Sequence, residues 1–368
     1  MKNILFLINN LGEGGAEKVL VNLVNNIDKK KYDITLRALI DYGQNKKYLS
    51  KAIKYEYVFN KGFRGINYLH LLPSSYIFKK VTNGNFDVIV VYLHGVLTKI
   101  VSKAPKNQKT IAYLHADMLK SPFIKGFSNK NQILKCFKSY DAIVSVSKSV
   151  QDSFVEVTGI KEKLHVLYNT FDVNEINIKS KKPIDTALFN SSVLTMCSVG
   201  SLTKVKGFER LLHVLNSLKE DGFKFKLLII GEGYERKKLK KFIEENNLND
   251  YIFLIGYKSN PYKFIANSDL FICSSFSEGF SSVVVESIIL GVPVLTTSCS
   301  GMSEILGKNG EFGMIVENNE KGIYFGLREL MSNIKLREYY EKKAIERASF
   351  FSTRNTIKEV EKLIDNII

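Results

Sequence analysis

Apolar and polar positions along the chain fall into short blocks that separate strands from helices. Continuous apolar runs at 4–8, 34–40, 88–93, 110–114, 142–146 and 164–167 recur through the first half, and segments of helical spacing such as 16–27 lie between them. Strands that are apolar on both faces and alternate with helices predict a parallel sheet covered on both sides. A polar stretch at 174–190 has little periodicity and reads as a linker. A second series of apolar runs follows at 193–199, 227–230, 252–255, 270–273 and 292–296, again alternating with helical patterns. Ile357, Val360, Ile364 and Ile367 recur at helical spacing and predict a capping helix at the end. The expected organisation is therefore α/β, two doubly wound domains in tandem: 1–175, a linker at 176–190, 191–350, and a final helical segment at 351–368.

A length of 368 residues fits two domains, each able to bury its own core. Hydrophobic residues make up 45% and charged residues 24%, which leaves no room for a long disordered region. The longest apolar runs are broken by Asp87, Glu286 and Gly291, short of the roughly 18 continuous apolar residues of a spanning helix. With no export signal before the run at 4–8, the sequence points to a cytoplasmic protein. Cys136, Cys197, Cys273 and Cys299 are widely spaced without a Cys-x-x-Cys, which suits reduced, buried thiols better than zinc or disulfides.

The formal charge of +16 is uneven: residues 1–175 hold 26 Lys and Arg against 14 Asp and Glu. A basic first half suits an anionic partner, either the acidic inner face of a membrane or a lipid diphosphate, unless these are simply well-solvated lysines. Nucleic acid is excluded as a partner because no binding motif accompanies the charge.

Candidate chemistry collects where the strands of the second half end. Gly200 and Ser201, Gly231 to Gly233, Gly256 and Tyr257, and 274–279 each follow a predicted strand. Ligands bind outside those ends in open α/β sheets, where glycine lets backbone N–H groups approach phosphate oxygens. The most informative segment is Ser277-Glu278-Gly279-Phe280-Ser281-Ser282, followed by Val283 to Glu286. Ser281 or Ser282 is placed to open a helix whose free N–H groups and dipole form an anion site. Glu286 lies one turn further on in an otherwise apolar helix. Its carboxylate needs a partner there: either two donors from a ribose diol or a buried group of the protein. Lys206, in the loop 200–207, is a candidate to neutralise a departing diphosphate.

In the first half, Gly14 and Gly15 follow the first strand and open a helix. Neither Gly-x-Gly-x-x-Gly nor a Lys-Ser/Thr pair is present, which argues against a nicotinamide oxidoreductase and a Walker loop. The two glycines still allow backbone to face a phosphate. His94 and His115 both follow predicted strands, and His115 is the stronger candidate to meet a substrate; a structural histidine is the alternative for each.

Glu278 and Glu286 in a Glu-x7-Glu spacing, Gly291-Val292-Pro293-Val294, the loop 200–207, Gly231-Glu232-Gly233 and Gly14-Gly15-Ala16-Glu17 together resemble family 4 of the retaining glycosyltransferases. The likeness spans nearly the whole chain. It implies a GT-B fold, two Rossmann-like domains facing each other across a cleft. The second would bind a nucleotide diphosphate sugar and the first a glycan or lipid-linked acceptor, with catalysis needing no metal and no cofactor. Lys206, Glu278 and His115 would then be catalytic. Gly14, Gly15, Ser201, Lys206, Gly231, Gly256, Tyr257, Glu278, Gly279, Phe280, Ser281, Ser282 and Glu286 would line the donor site, with Glu286 on its ribose. Asn169-Thr170-Phe171-Asp172 resembles a structural turn of the family. Members commonly carry Arg where this chain has Ser201, so the site lacks one formal charge. The resemblance further implies a UDP-linked donor, transfer of a hexosyl or N-acetylhexosaminyl group, and assembly of bacterial surface polysaccharide such as capsule or lipopolysaccharide. An anionic membrane face is a candidate peripheral partner. Two rivals remain open: a GT-B sugar-nucleotide epimerase, and a non-catalytic basic protein of the membrane surface.

Overall fold

The computed structural model describes residues 1–12, 14–184, 189 and 193–368. They pack into two compact units, one formed by 1–171 with 353–368 and the other by 172–352.

The first unit holds seven parallel strands: β1 (Lys2–Ile8), β2 (Tyr32–Ile40), β3 (Lys54–Phe59), β4 (Val88–Val91), β5 (Lys109–Leu114), β6 (Ala142–Ser145) and β7 (Leu164–Val166). Their order in the sheet is β3-β2-β1-β4-β5-β6-β7. The second unit holds β8 (Leu194–Val199), β9 (Phe225–Ile230), β10 (Ile252–Gly256), β11 (Leu270–Cys273), β12 (Val294–Thr297) and β13 (Met314–Val316) in the order β10-β9-β8-β11-β12-β13. Both sheets are doubly wound. The order reverses between β1 and β4 in one and between β8 and β11 in the other, and a crevice opens beyond the strand ends at such a switch point.

Two edge strands lie outside the apolar runs read from the sequence: β3, where Lys54 and Glu56 interrupt the apolar residues and no position is fully buried, and β13, which has only three residues. The expected linker at 176–190 needs correction: its start belongs to a helix, Val173–Ser180, capped by the Asp172 carboxylate accepting from the Glu175 N–H at 2.8 Å. Only Ile176 of that helix is buried, so the apolar period is too faint to read. Residues 185–188 and 190–192 of the predicted linker lie outside the described residues.

The last helix, Thr353–Ile367, belongs to the first unit. Ile357, Val360, Leu363 and Ile364 enter the core beside Ile4, Ile34 and Val24. The rim of the contact is polar: the Tyr32 hydroxyl donates to the Asp365 carboxylate at 2.6 Å, and Lys2 reaches the same carboxylate at 3.1 Å. Ile364 is 1% exposed, so Ile364→Ala should cost about 2–5 kcal/mol through lost burial and the cavity it leaves. Urea unfolding followed by circular dichroism reads this as a lower midpoint. Among the described residues no helix is long and apolar enough to cross a membrane.

Candidate functional site

Two loops meet beyond the switch point of the second sheet. The loop after β8 makes a short turn at Lys204–Lys206 and ends at Gly207, whose φ of +65° glycine adopts without strain. Any Cβ there would lie 2.1 Å from the Ser274 carbonyl oxygen, so glycine also allows the close approach to the loop after β11. The Phe276 N–H donates to the Val205 carbonyl at 2.8 Å and the Ser274 hydroxyl to the Lys206 carbonyl at 3.0 Å. Arg210, buried in the following helix Phe208–Glu220, donates to the Ser274 and Ser275 carbonyls and to the Asn318 side chain.

This fixed pair of loops brings Lys206 and Glu278 together. Lys206 Nζ lies 2.6 Å from Glu278 Oε1, which also accepts from the Ser275 hydroxyl at 2.6 Å. Burial alone pulls the Lys206 pKa down, but the ion pair with Glu278 outweighs it and the net shift is upward. Lys206 is therefore held as a cation. The pair is buried on the protein side and only partly open, with the lysine side chain 25% exposed and the glutamate 11%.

Immediately after Glu278 the chain passes Gly279 and Phe280 and enters the helix Ser282–Ile289. Ser281 holds the N-cap position, yet its side chain makes no cap bond. Its hydroxyl is buried and has no partner among the described residues. Burying a hydroxyl this way costs about 1–3 kcal/mol, and an acceptor arriving at the helix start would recover it. The first-turn N–H groups and the dipole favour an anion at the same place. Glu286, 3% exposed, is not left to a ligand alone. The Tyr262 hydroxyl donates to Glu286 Oε1 at 3.2 Å. Burial and the nearby Glu286 carboxylate push the Tyr262 pKa far up, so this hydroxyl keeps its proton.

The other expected donor residues sit on the same edge of this sheet: Ser201 exposed after β8, Gly231 after β9, Gly256 and Tyr257 at the end of β10. Gly231 is obligatory there, because a Cβ would fall 1.9 Å from the Gly200 carbonyl oxygen. Lys204 is exposed and makes no ion pair among the described residues, so Lys206 is the cation this loop holds in place. Sequence reading missed Arg210, Ser275 and Tyr262. An arginine amid the apolar face of 208–218 was the available signal for the first; the other two are visible only in space.

In the first unit, Gly14 caps the helix Gly15–Asn26 after β1, and His115 follows β5 at the same sheet edge. A His115 ring N–H donates to the Tyr92 carbonyl while Nε2 is buried without a partner, so Nδ1 carries the proton and Nε2 presents a lone pair. Ser121 Oγ accepts from the Phe123 N–H and lies 3.3 Å from His94 Nε2, while His94 Nδ1 is buried without a partner among the described residues. Each ring thus keeps one unpartnered nitrogen that can meet a hydroxyl group. Burial lowers the His94 pKa to about 4; burial, then the neighbouring His94, lowers that of His115 to about 3.

Both rings therefore stay neutral near pH 7. Their folded values lie below the unfolded value of about 6.5, so the unfolded chain takes up protons first and stability is lost as pH falls below about 6.5. Denaturation midpoints measured down to about pH 4.5 should fall, and less steeply in His94→Gln/His115→Gln. Turnover should show no imidazole step between about pH 5.5 and 8.

Comparison with known proteins follows the same division. The family profile described as "Glycosyl transferases group 1" matches residues 182–347 and that described as "Glycosyltransferase Family 4" matches 13–175. The N-acetylgalactosamine-N,N'-diacetylbacillosaminyl-diphospho-undecaprenol 4-alpha-N-acetylgalactosaminyltransferase of Campylobacter jejuni is 29% identical over 371 residues, covering 95% of this chain and 96% of the relative. The capsular polysaccharide biosynthesis glycosyltransferase CapM of Staphylococcus aureus is 30% identical over 53% of this chain and 50% of its own length. Among solved structures, Anabaena HepE in complex with UDP superposes with a TM-score of 0.80 at 20% identity over the full length of both chains.

Proposed function

We infer a reaction from the premise that this chain is a GT-B glycosyltransferase of the family 4 type. It moves a hexosyl or N-acetylhexosaminyl group from a UDP-linked donor to a glycan or lipid-linked acceptor, with retention at the anomeric carbon and without a metal, in the assembly of bacterial surface polysaccharide. The observation that carries this reading is the Lys206–Glu278 pair set beside the helix opening at Ser282, with the Ser281 hydroxyl unpartnered at its start. A cation, first-turn N–H groups and a hydroxyl in need of an acceptor suit a diphosphate. The function of the Campylobacter relative and the UDP bound to HepE support the lipid-linked acceptor and the donor base.

In the step proposed, the bond from the anomeric carbon to the β-phosphate oxygen breaks. The acceptor oxygen attacks the same face, and its proton passes to the departing phosphate oxygen. Lys206 and the helix start stabilise the charge on the leaving diphosphate, and Glu278 faces the sugar hydroxyls while it holds Lys206 in place. His115 is the first unit's candidate to meet a sugar hydroxyl, and Glu286 holds the ribose.

The test is a panel of UDP-sugars with lipid-linked and free glycan acceptors, with the product's anomeric configuration read by NMR and the assay repeated in a chelator. An α-linked product from an α-donor, unaffected by the chelator, supports the reading. An inverted product, a metal requirement, or an isomerised sugar from donor alone overturns it.

A further inference from the structure

From Tyr57 to Phe86 the chain carries Lys61, Arg64, Lys79 and Lys80 and no acidic residue. The bounding carboxylate Glu56 is engaged by Arg37 and Lys54. The same stretch is folded with two apolar sets. One points inward: Leu69, Ile77 and Val81 are buried. The other points outward: Tyr68 is 67% exposed, Leu71 72%, Leu72 42% and Tyr76 58%. The 3₁₀ turn Ile66–Leu71 explains part of this, since its period of three puts Tyr68 and Leu71 on one side while Leu69 turns to the core.

The elements that carry the exposed set pack on one another: the 3₁₀ turn Ile66–Leu71 contacts the helix Ser74–Thr82. Lys80 Nζ lies 5.0 Å from the Phe59 ring centroid and 6.0 Å from that of Tyr76, and the Phe59 ring meets Phe63 at 5.0 Å. The 3₁₀ turn packs on the helix Val96–Val101, which bears Lys99, and Lys103 Nζ donates to the His70 carbonyl at 2.6 Å. Six exposed apolar or aromatic side chains, Tyr57, Phe63, Tyr68, Leu71, Leu72 and Tyr76, in a stretch whose charged residues are all basic, exceed the scattered exposure of an ordinary surface.

We propose that this face of the first unit docks on an anionic lipid bilayer, with Tyr68, Leu71, Leu72 and Tyr76 entering the headgroup boundary and Lys61, Arg64, Lys79 and Lys80 meeting the phosphates. Tyrosine rings settle at headgroup depth, aliphatic side chains reach just below it, and lysines beside them are drawn to negative headgroups. Leucines at the centre favour a bilayer over a nucleic acid, which offers phosphate and stacking but no apolar interior. The inference goes beyond the transfer reaction and does not depend on it.

The full chain is sedimented with vesicles of phosphatidylcholine alone or with about one-third phosphatidylglycerol. Binding to the anionic vesicles only, weakened by added salt, is expected. Tyr68→Ser/Leu71→Ser and Lys79→Glu/Lys80→Glu should each lower it roughly tenfold or more, since each surface lysine is worth about one such step or slightly less. Lys240→Glu/Lys241→Glu makes the same charge change at exposed positions of the second unit and should leave binding nearly intact. No binding to anionic vesicles overturns the proposal, as does binding unaltered by both patch variants. So does a patch that instead governs self-association in sedimentation velocity or binding to a single-stranded oligonucleotide. Transfer to a water-soluble acceptor without vesicles, measured on the same variants, should be unchanged. Patch-dependent vesicle binding in a chain with no transferase activity would keep this proposal and sink the reaction.

Discussion

Lys206→Ala should lower turnover by roughly 10²-fold or more, with a smaller change in the Michaelis constant for the donor. The reason lies in where charge appears. A sugar nucleotide already carries two negative phosphate charges when it binds, but a further charge builds on the β-phosphate oxygen as its bond to the sugar stretches. A cation fixed in advance acts mainly on that increment. Lys206 is fixed by the loop ending at Gly207 and by its contact with Glu278, in a partly closed site where electrostatic effects exceed those in water. Lys206→Arg should recover part of the rate, because the charge returns while the fork geometry differs. Lys206→Ala also leaves Glu278 without its cation, beside the Ser275 hydroxyl that donates to it, so Glu278→Gln in the same chain should relieve some local repulsion without restoring turnover. Steady-state kinetics on the three variants decides the matter, and equal turnover in Lys206→Ala removes the lysine from the reaction.

Glu286→Ala should weaken donor binding by roughly 10- to 100-fold, with turnover at saturation changed far less, because a carboxylate holding a ribose acts on substrate and transition state alike. Tyr262 makes the test sharper. Its hydroxyl donates to Glu286, so a carboxylate serving only the protein would make Glu286→Ala and Tyr262→Phe equal in their effect on stability and silent in donor affinity. A carboxylate shared between tyrosine and ribose predicts otherwise: Tyr262→Phe costs little affinity and Glu286→Ala costs much. Titration calorimetry with the nucleotide diphosphate, alongside thermal unfolding, separates the two patterns.

The central strands were legible because they are covered on both faces and so are apolar throughout: β1, β4, β5, β6, β8, β9 and β11 stand out without any partner in view. β3 was not, because Lys54 and Glu56 break its apolar residues; β13 was missed as well, although the edge strands β7 and β10 were marked. The helix Val173–Ser180 hid in a polar stretch with one buried side chain, although Asp172 three residues before Glu175 was a start signal. Small residues at strand ends marked the edge of the second sheet correctly, because a chain that turns sharply beside another backbone needs glycine whatever it binds. The contact between Lys206 and Glu278 spans 72 positions and exists only because β8 and β11 are neighbours, a fact of topology that no local spacing carries. The same holds for Tyr262 and Glu286, 24 positions apart, and for the surroundings of the two histidines, which Tyr92 and Ser121 supply.

A crystal structure with a bound nucleotide diphosphate sugar is the most direct measurement. The account predicts phosphate oxygens within hydrogen-bonding distance of the first-turn N–H groups of Ser282–Ile289, of the Ser281 hydroxyl and of Lys206 Nζ, with the ribose on Glu286. A diphosphate bound away from that helix start, or a Glu286 that still touches only protein once the nucleotide is in place, would contradict it.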